Sequence, residues 1–119
     1  MSPRIKTLWV TALRHYSGSV AKYGMRHHNA YDPLGILCDL ATKELSGLRW
    51  EPCPSNSGYY IIDCHMSDLP DRVVSWANLG NKSPKLTHKG IITPIHRLSD
   101  MGITFNQLAD LIEEQYCWD

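Results

Sequence analysis

The feature that most constrains the fold is a single apolar face running through the first sixteen residues. Ser2 can cap a helix, and Pro3 suits its first turn, where no backbone hydrogen bond is lost. From Ile5 onward, apolar residues recur at the spacing of one helix face: Leu8, Trp9, Ala12, Leu13 and Tyr16. The pattern predicts an amphipathic helix that ends before Gly18 and must bury this face against other elements.

Two further helices are predicted by their start and stop signals. Asp32 can cap the second helix, with Pro33 in its first turn and Gly47 closing it. Its residues are apolar nearly all round, so we expect it at the centre of the domain. A third helix follows Pro70 and ends at Gly80.

Residues 94–116 have the pattern of a short helix, a glycine turn and a longer amphipathic helix. Thr104, with Gln107 three residues later, forms a capping box for the longer helix. This order is typical of a helix-turn-helix, whose second helix reads DNA through basic or amide groups. The longer helix instead carries three acids, which phosphate repels: Asp110, Glu113 and Glu114. A structural helix pair is favoured, with DNA binding as an alternative.

Two short β-hairpins are predicted between the helices. Leu48–Trp50 and Tyr59–Asp63 flank a turn-rich segment, and Lys85–Thr87 and Ile91–Thr93 flank a tight turn with glycine. A chain of 119 residues fits one domain. The sequence therefore predicts an α+β fold: one small single domain over residues 1–119, with about five helices and one or two short β-hairpins.

The charges are balanced in number but unevenly distributed. Twelve basic and twelve acidic residues give no net charge, yet residues 1–31 hold no acid and residues 100–119 hold no Lys or Arg. This asymmetry can steer an anionic partner to one end. An acidic C-terminal helix can also mimic nucleic acid toward a host protein. Alternatively, the two ends pack side by side and neutralise each other.

The hydropathy pattern predicts a cytoplasmic protein. No apolar run approaches the roughly 18–20 residues that span a bilayer. The basic N-terminal segment lacks the unbroken apolar stretch of a signal peptide. Cysteines stay reduced in the cytoplasm, so we expect no disulfide among the four cysteines: Cys38, Cys53, Cys64 and Cys117.

No motif for metal binding or catalysis is complete. Structural zinc sites pair ligands two to four residues apart, whereas Cys64–His65 and His27–His28 are adjacent. Neighbours on a strand point to opposite faces, which separates such ligands. The chain has no P-loop, dinucleotide-binding fingerprint or nucleophile elbow. We therefore expect neither an enzyme nor a bound metal or cofactor.

Residues 14–31 interleave cationic and aromatic side chains. This combination suits a phosphate-bearing ligand with a ring to stack, or an acidic protein surface. The alternative is a solvated basic loop whose tyrosines cover the edge of the core. The candidate binding residues are Arg14, His15, Tyr16, Lys22, Tyr23, Arg26, His27 and His28.

Five segments follow one another in a recognisable order: WVTALRHYSGSVAKYG, YDPLGILCDLA, LPDRVVSWANL, KLTHKG and LSDMGITFNQLADLIEEQ. Their order resembles a family of small bacteriophage proteins of unassigned function. That family has a W-x-x-A-L-R-S-G-x-Y-x-Q-like start, a Y-C-C-L-G-V-L-C-D-L-like helix and an L-N-D-x-G-x-S-F-x-E-I-A-D-L-I-E-like ending. The resemblance covers most of the chain apart from Leu48–Ser67.

The chain departs from this pattern at three places. Asp32-Pro33 replace paired cysteines, Ser99-Asp100 replace Asn-Asp, and Lys22-Tyr23-Gly24 replace a Gln-rich step. The resemblance implies a phage-borne accessory protein and assigns no reaction. We expect non-catalytic binding through residues 14–31 that inhibits or redirects a host or defence protein in the host cytoplasm. The alternatives are sequestration of a nucleotide-like, phosphate-bearing ligand and DNA binding through residues 94–116.

Overall fold

The structure is a computed structural model that describes residues 1–116. Cys117 and Asp119 lie outside the described residues. Within 1–116 the chain forms five helices and three two-stranded antiparallel sheets, which confirms the α+β class. In chain order the elements are α1 (Pro3–His15), β1 (Arg26–His27), β2 (Ala30–Tyr31), α2 (Pro33–Thr42), β3 (Trp50–Pro52), β4 (Tyr60–Ile62), α3 (Asp71–Ala77), β5 (Lys85–His88), β6 (Ile91–Pro94), α4 (Ile95–Asp100) and α5 (Phe105–Gln115).

The first and last helices, α1 and α5, pack side by side. Their buried faces follow the predicted periodicity: Ile5, Trp9 and Leu13 on α1, and Phe105, Leu108, Ala109 and Ile112 on α5. Arg14 donates to the carboxylate of Asp110 at 2.8 Å, and Lys6 donates to the carbonyl oxygen of Glu113 at 2.9 Å. The basic and acidic ends of the chain thus lie together, and part of the charge asymmetry is neutralised within the domain.

The second helix, α2, lies at the centre of the core, as its apolar composition predicts. Asp32 caps it by accepting from the amide of Gly35 at 2.7 Å. The indole of Trp9 donates to the carbonyl oxygen of Pro33 at 2.9 Å, which ties α1 to the start of α2. The helix ends at Thr42, and the chain continues in turns to Gly47, whose φ is +79°.

Residues 17–31, which show no periodicity in sequence, form an ordered connection with a third hairpin. Strands β1 and β2 pair over only two residues each, too few to leave an alternating pattern. Ala21 donates to the carbonyl oxygen of Tyr31 at 3.1 Å, and Met25 donates to that of Met66 at 2.8 Å. Met25 is fully buried, so this segment is part of the core.

The two predicted hairpins are present with shifted bounds. The first pairs Trp50–Pro52 with Tyr60–Ile62, and it accommodates proline because each strand of a two-stranded sheet has a free edge. The second turns at Lys89 and Gly90, with φ values of 52° and 78°. Two consecutive positive φ angles are what a two-residue hairpin turn requires.

Gly35→Ala tests the packing at the start of α2. In an open helix this change stabilises by about 1 kcal/mol. Here a Cβ at Gly35 would lie 2.1 Å from the carbonyl oxygen of Met25, which already accepts from the amide of Asp32 at 2.9 Å. We expect a loss of about 2–3 kcal/mol in the free energy of unfolding, measured by urea denaturation.

Gly80→Ala is the matched control, because a Cβ there meets no atom within 4 Å. Alanine tolerates the φ of +73° less well than glycine does, so Gly80→Ala should lower the free energy of unfolding by about 1 kcal/mol. If Gly35→Ala instead raised the free energy of unfolding, as in an open helix, the contact with Met25 would not constrain α2.

Candidate functional site

The first cavity, of about 430 Å³, lies between the C-terminal end of α1 and the turn that joins α4 to α5. Three of the predicted binding residues line it: Arg14, Tyr16 and Lys22. Most of the remaining wall is apolar, including Leu13, Val20, Ile103 and Phe105. Three of the eight candidate residues therefore lie on one concave surface.

Tyr16 fixes the shape of the first cavity. Its ring stacks on Phe105 with 5.2 Å between centroids. Its hydroxyl donates to the carbonyl oxygen of Ser19 at 2.5 Å and accepts from the amide of Tyr31 at 3.2 Å. A Cβ at Gly18 would lie 2.6 Å from this hydroxyl, so a larger residue there would displace the ring. Tyr16 thus joins residues 17–31 to α5.

Two cations and one buried hydroxyl give the first cavity its polar character. The Arg14 guanidinium is exposed and paired with Asp110, and Lys22 is exposed. Ser99 also lines the cavity, is 5% exposed, and its Oγ has no hydrogen-bond partner within residues 1–116. A buried polar group without a partner is uncommon and costs about 1–3 kcal/mol.

Three of the remaining candidate residues lie away from the first cavity, on β1 and its turn. The Arg26 guanidinium carbon is 4.0 Å from the ring centroid of Tyr60 and 5.2 Å from that of Tyr31. Arg26 also donates to the carbonyl oxygen of His28 at 2.9 Å. These contacts direct Arg26 against aromatic rings of its own domain, where a cation is attracted to their faces.

The adjacent histidines lie together, and the expectation that they would point to opposite faces was wrong. Their ring centroids are 4.5 Å apart. His28 has a φ of 52°, a left-handed conformation that breaks the alternation of the strand. A Cβ at Gly58 would lie 2.7 Å from Nε2 of both His27 and His28, so both rings pack directly against that glycine.

The last two candidate residues are separate from both groups. His15 is exposed, and its Nδ1 lies 2.9 Å from the carbonyl oxygen of Thr11 in its own helix. Tyr23 is 77% exposed and lines a second cavity. The eight predicted residues therefore do not line a single cavity.

The second cavity, of about 280 Å³, brings together ionisable groups that sequence reasoning did not connect. Asp32, His96 and Asp100 line it with Tyr23. Burial raises the pKa of Asp32 to about 7, against the opposing effect of the Gly35 amide. The Nδ1 atom of His96 is buried without a hydrogen-bond partner in the described part of the chain. No local motif signals this grouping, because Tyr23 and Asp32 lie far in sequence from His96 and Asp100.

The third cavity, of about 480 Å³, is the feature that sequence reasoning missed most clearly. Ile91 and Met101 line it and are 67% and 63% exposed. Three basic or imidazole side chains also line it: His88, Lys89 and Arg97. One sequence signal was available, since Ile91 and Ile92 are consecutive in a short strand and cannot both face one core.

The first and third cavities lie on either side of the α4–α5 turn and share Ile103 in their walls. We call this combined area the turn surface, defined by Arg14, Lys22, Ile91, Arg97, Met101 and Ile103. It joins part of the predicted basic segment to the exposed apolar side chains. Two concave, apolar-walled regions with cations beside them can receive apolar groups that carry negative charge.

Within 1–116, no three His, Cys, Asp or Glu side chains are grouped as metal ligands. Cys38, Cys53 and Cys64 are free thiols, and burial raises the pKa of Cys38 well above its usual value. The exposed face of α5 carries Asp110, as the sequence indicated. No helix in 1–116 has the length and apolar character needed to cross a membrane.

A family model described as a domain of unknown function (DUF8296) matches residues 1–116 of the chain. No curated protein and no solved structure matches it.

Asp32→Asn tests the buried carboxyl at the second cavity. The raised pKa means that the folded protein binds the Asp32 proton more tightly than the unfolded chain does. This contribution to stability is present in acid and is lost as the pH rises from about 4 to about 7. Asparagine also caps helices but does not titrate. We expect the variant to gain free energy of unfolding relative to the wild type between pH 4 and pH 8.

Urea denaturation at both pH values measures this difference. Glu51→Gln, which removes an exposed carboxylate, controls for the change in net charge. A constant difference between Asp32→Asn and the wild type would show that folding does not raise the pKa of Asp32.

Proposed function

The chain belongs to the DUF8296 family, and we propose that it is a phage accessory protein that binds a host or defence protein without catalysing a reaction. Binding would inhibit or redirect that partner in the host cytoplasm. The observation that carries the proposal is the turn surface. The resemblance to small bacteriophage proteins supports the phage origin.

The exposed apolar side chains favour a protein as the partner. Soluble domains rarely expose a contiguous apolar patch unless it is an interaction site. Ile91 and Met101 are both largely exposed and line the same cavity. Interfaces derive most of their binding energy from a few side chains that fill such pockets. A partner can place one anchor in each cavity, on either side of Ile103.

The charges around the two cavities favour an acidic partner. Arg14 and Lys22 line the first cavity, and Lys89 and Arg97 line the third. Charged groups around an interface chiefly set the rate and specificity of encounter. The apolar walls would then supply most of the affinity. An acidic segment with apolar anchors satisfies both requirements.

A second candidate function is the sequestration of a phosphate-bearing small ligand in the first cavity. The unpartnered hydroxyl of Ser99 favours it, because a ligand could supply the missing hydrogen bond. The first cavity, at about 430 Å³, is within the usual size range of small-molecule sites. The exposed apolar residues of the third cavity have no part in this function, so protein binding accounts for more of the surface.

Ile91→Ala together with Met101→Ala tests the apolar part of the turn surface. Both side chains are exposed, so stability should stay within about 0.5 kcal/mol of the wild type. We expect at least about tenfold weaker retention of the partner in affinity purification from host lysate with the tagged protein. Quantitative mass spectrometry of the eluates measures the loss.

Ile92→Ala is the matched control for the Ile91 change. Ile92 is 70% exposed, lies on the same strand and lines neither cavity. A partner lost equally from Ile92→Ala and from the double variant would place the interface elsewhere.

Arg14→Ala together with Lys22→Ala tests the cationic part. Once the partner is purified, we expect about tenfold slower association, with a weaker dependence on salt and little change in dissociation. Lys43→Ala with Arg49→Ala removes the same charge from exposed positions that line neither cavity. Equal effects of the two pairs on association, measured by surface plasmon resonance, would contradict a role for the cavity cations.

A further inference from the structure

We infer that the first cavity contains a subsite for an oxyanion, a phosphate or carboxylate group carried on an apolar or aromatic body. This inference rests on the proposed function, because it names the chemical group that the turn surface receives. Four features of the cavity support it: the start of α5, the hydroxyl of Ser99, the two cations and the apolar wall.

The start of α5 supplies backbone donors. This helix has eleven residues, and its first-turn amides have no partner within the helix. The capping box engages the amides of Thr104 and Gln107. It does not engage those of Phe105 and Asn106, the two residues between them, and both residues line the cavity. Amides at a helix N-terminus, together with the helix dipole, favour bound anions.

Ser99 is an independent indication of a ligand on the same wall. It comes from α4, is 5% exposed, and its Oγ has no hydrogen-bond partner within residues 1–116. Buried hydroxyls in folded proteins are nearly always hydrogen-bonded. An oxyanion beside the start of α5 can accept this missing hydrogen bond. The α4–α5 turn therefore brings Ser99, Phe105 and Asn106 to one cavity.

Two cations that line the cavity can neutralise a bound oxyanion, and one of them, Arg14, already forms an ion pair. Arg14 donates to Asp110 at 2.8 Å, with 38% and 69% of the two side chains exposed. An exposed pair of this kind contributes little stability. A bound oxyanion can therefore replace Asp110 as the partner of Arg14, and Asp110 acts as an internal competitor for the guanidinium. Lys22 on the same cavity adds a second positive charge.

The apolar wall selects the body that carries the oxyanion. The rings of Tyr16 and Phe105, whose centroids are 5.2 Å apart, line the cavity together with Ile103. A bare inorganic anion would leave these surfaces in contact with water. A phosphate ester with a ring, or an acidic side chain beside an apolar one, covers them. Both ligands present an anionic oxygen group beside an apolar body.

Titration of the isotope-labelled full chain with phenyl phosphate tests the subsite, with amide shifts followed by NMR. We expect saturable shifts at Phe105, Asn106 and the neighbouring Gly102. Benzoate distinguishes the source: comparable binding favours an acidic side chain, and much weaker binding favours a phosphate ester. Phenol is the neutral control. Absence of saturation with both anions, or equal binding of phenol, would overturn the subsite.

Two variants test the assigned groups. Ser99→Ala should weaken the binding of phenyl phosphate about fivefold, which is the effect of losing one hydrogen bond. It should not lower the free energy of unfolding, because Oγ has no partner within residues 1–116 to lose. Asp110→Asn should tighten binding about two- to fivefold by releasing Arg14. Glu114→Gln removes the same charge from an exposed position on α5 and should tighten it less. Equal effects of Asp110→Asn and Glu114→Gln would contradict the competition.

The subsite and the proposed function fail separately. Loss of the subsite with retained partner binding through Ile91 and Met101 would leave the protein-binding function standing. Saturable binding of phenyl phosphate with no partner retained on the turn surface would leave the subsite standing and favour ligand sequestration.

Discussion

The rest of the structure depends on the buried start of α2. Three contacts meet there: Asp32 accepts from the Gly35 amide, Trp9 donates to the Pro33 carbonyl, and Gly35 lies against the Met25 carbonyl. Because the helix is buried, its terminal polar groups must find partners within the protein. Trp9 of α1 and the backbone of Met25 supply these contacts. The same junction therefore fixes both α1 and residues 17–31.

This junction determines where the turn surface lies. Met25 anchors the middle of residues 17–31, and Tyr16 anchors their start through its contacts with Ser19 and Phe105. The intervening segment is thereby kept beside the start of α5, which creates the first cavity. The α4–α5 turn then separates that cavity from the third one, where Ile91 and Met101 remain exposed. Core packing therefore presents the cations and apolar side chains together.

Local signals predicted the fold well, and tertiary contacts explain what was missed. The helix starts at Ser2, Asp32 and Thr104 depend on residues within one turn, so sequence patterns identified them. The candidate site was predicted only in part. Arg26 carries the expected charge but is held against Tyr60, a contact made between two hairpins. No spacing rule indicates such contacts. The same holds for Ser99, whose missing partner becomes evident only in three dimensions.

The most direct test of the turn surface is site-specific photo-crosslinking in host cells. A photoreactive amino acid would replace Met101 on the turn surface, or Glu51, which is exposed on β3 and lines neither the first nor the third cavity. Our account predicts a single discrete protein adduct from position 101 and none from position 51. Identical adducts from both positions, or an adduct from position 51 alone, would contradict the assignment of this surface as the binding site.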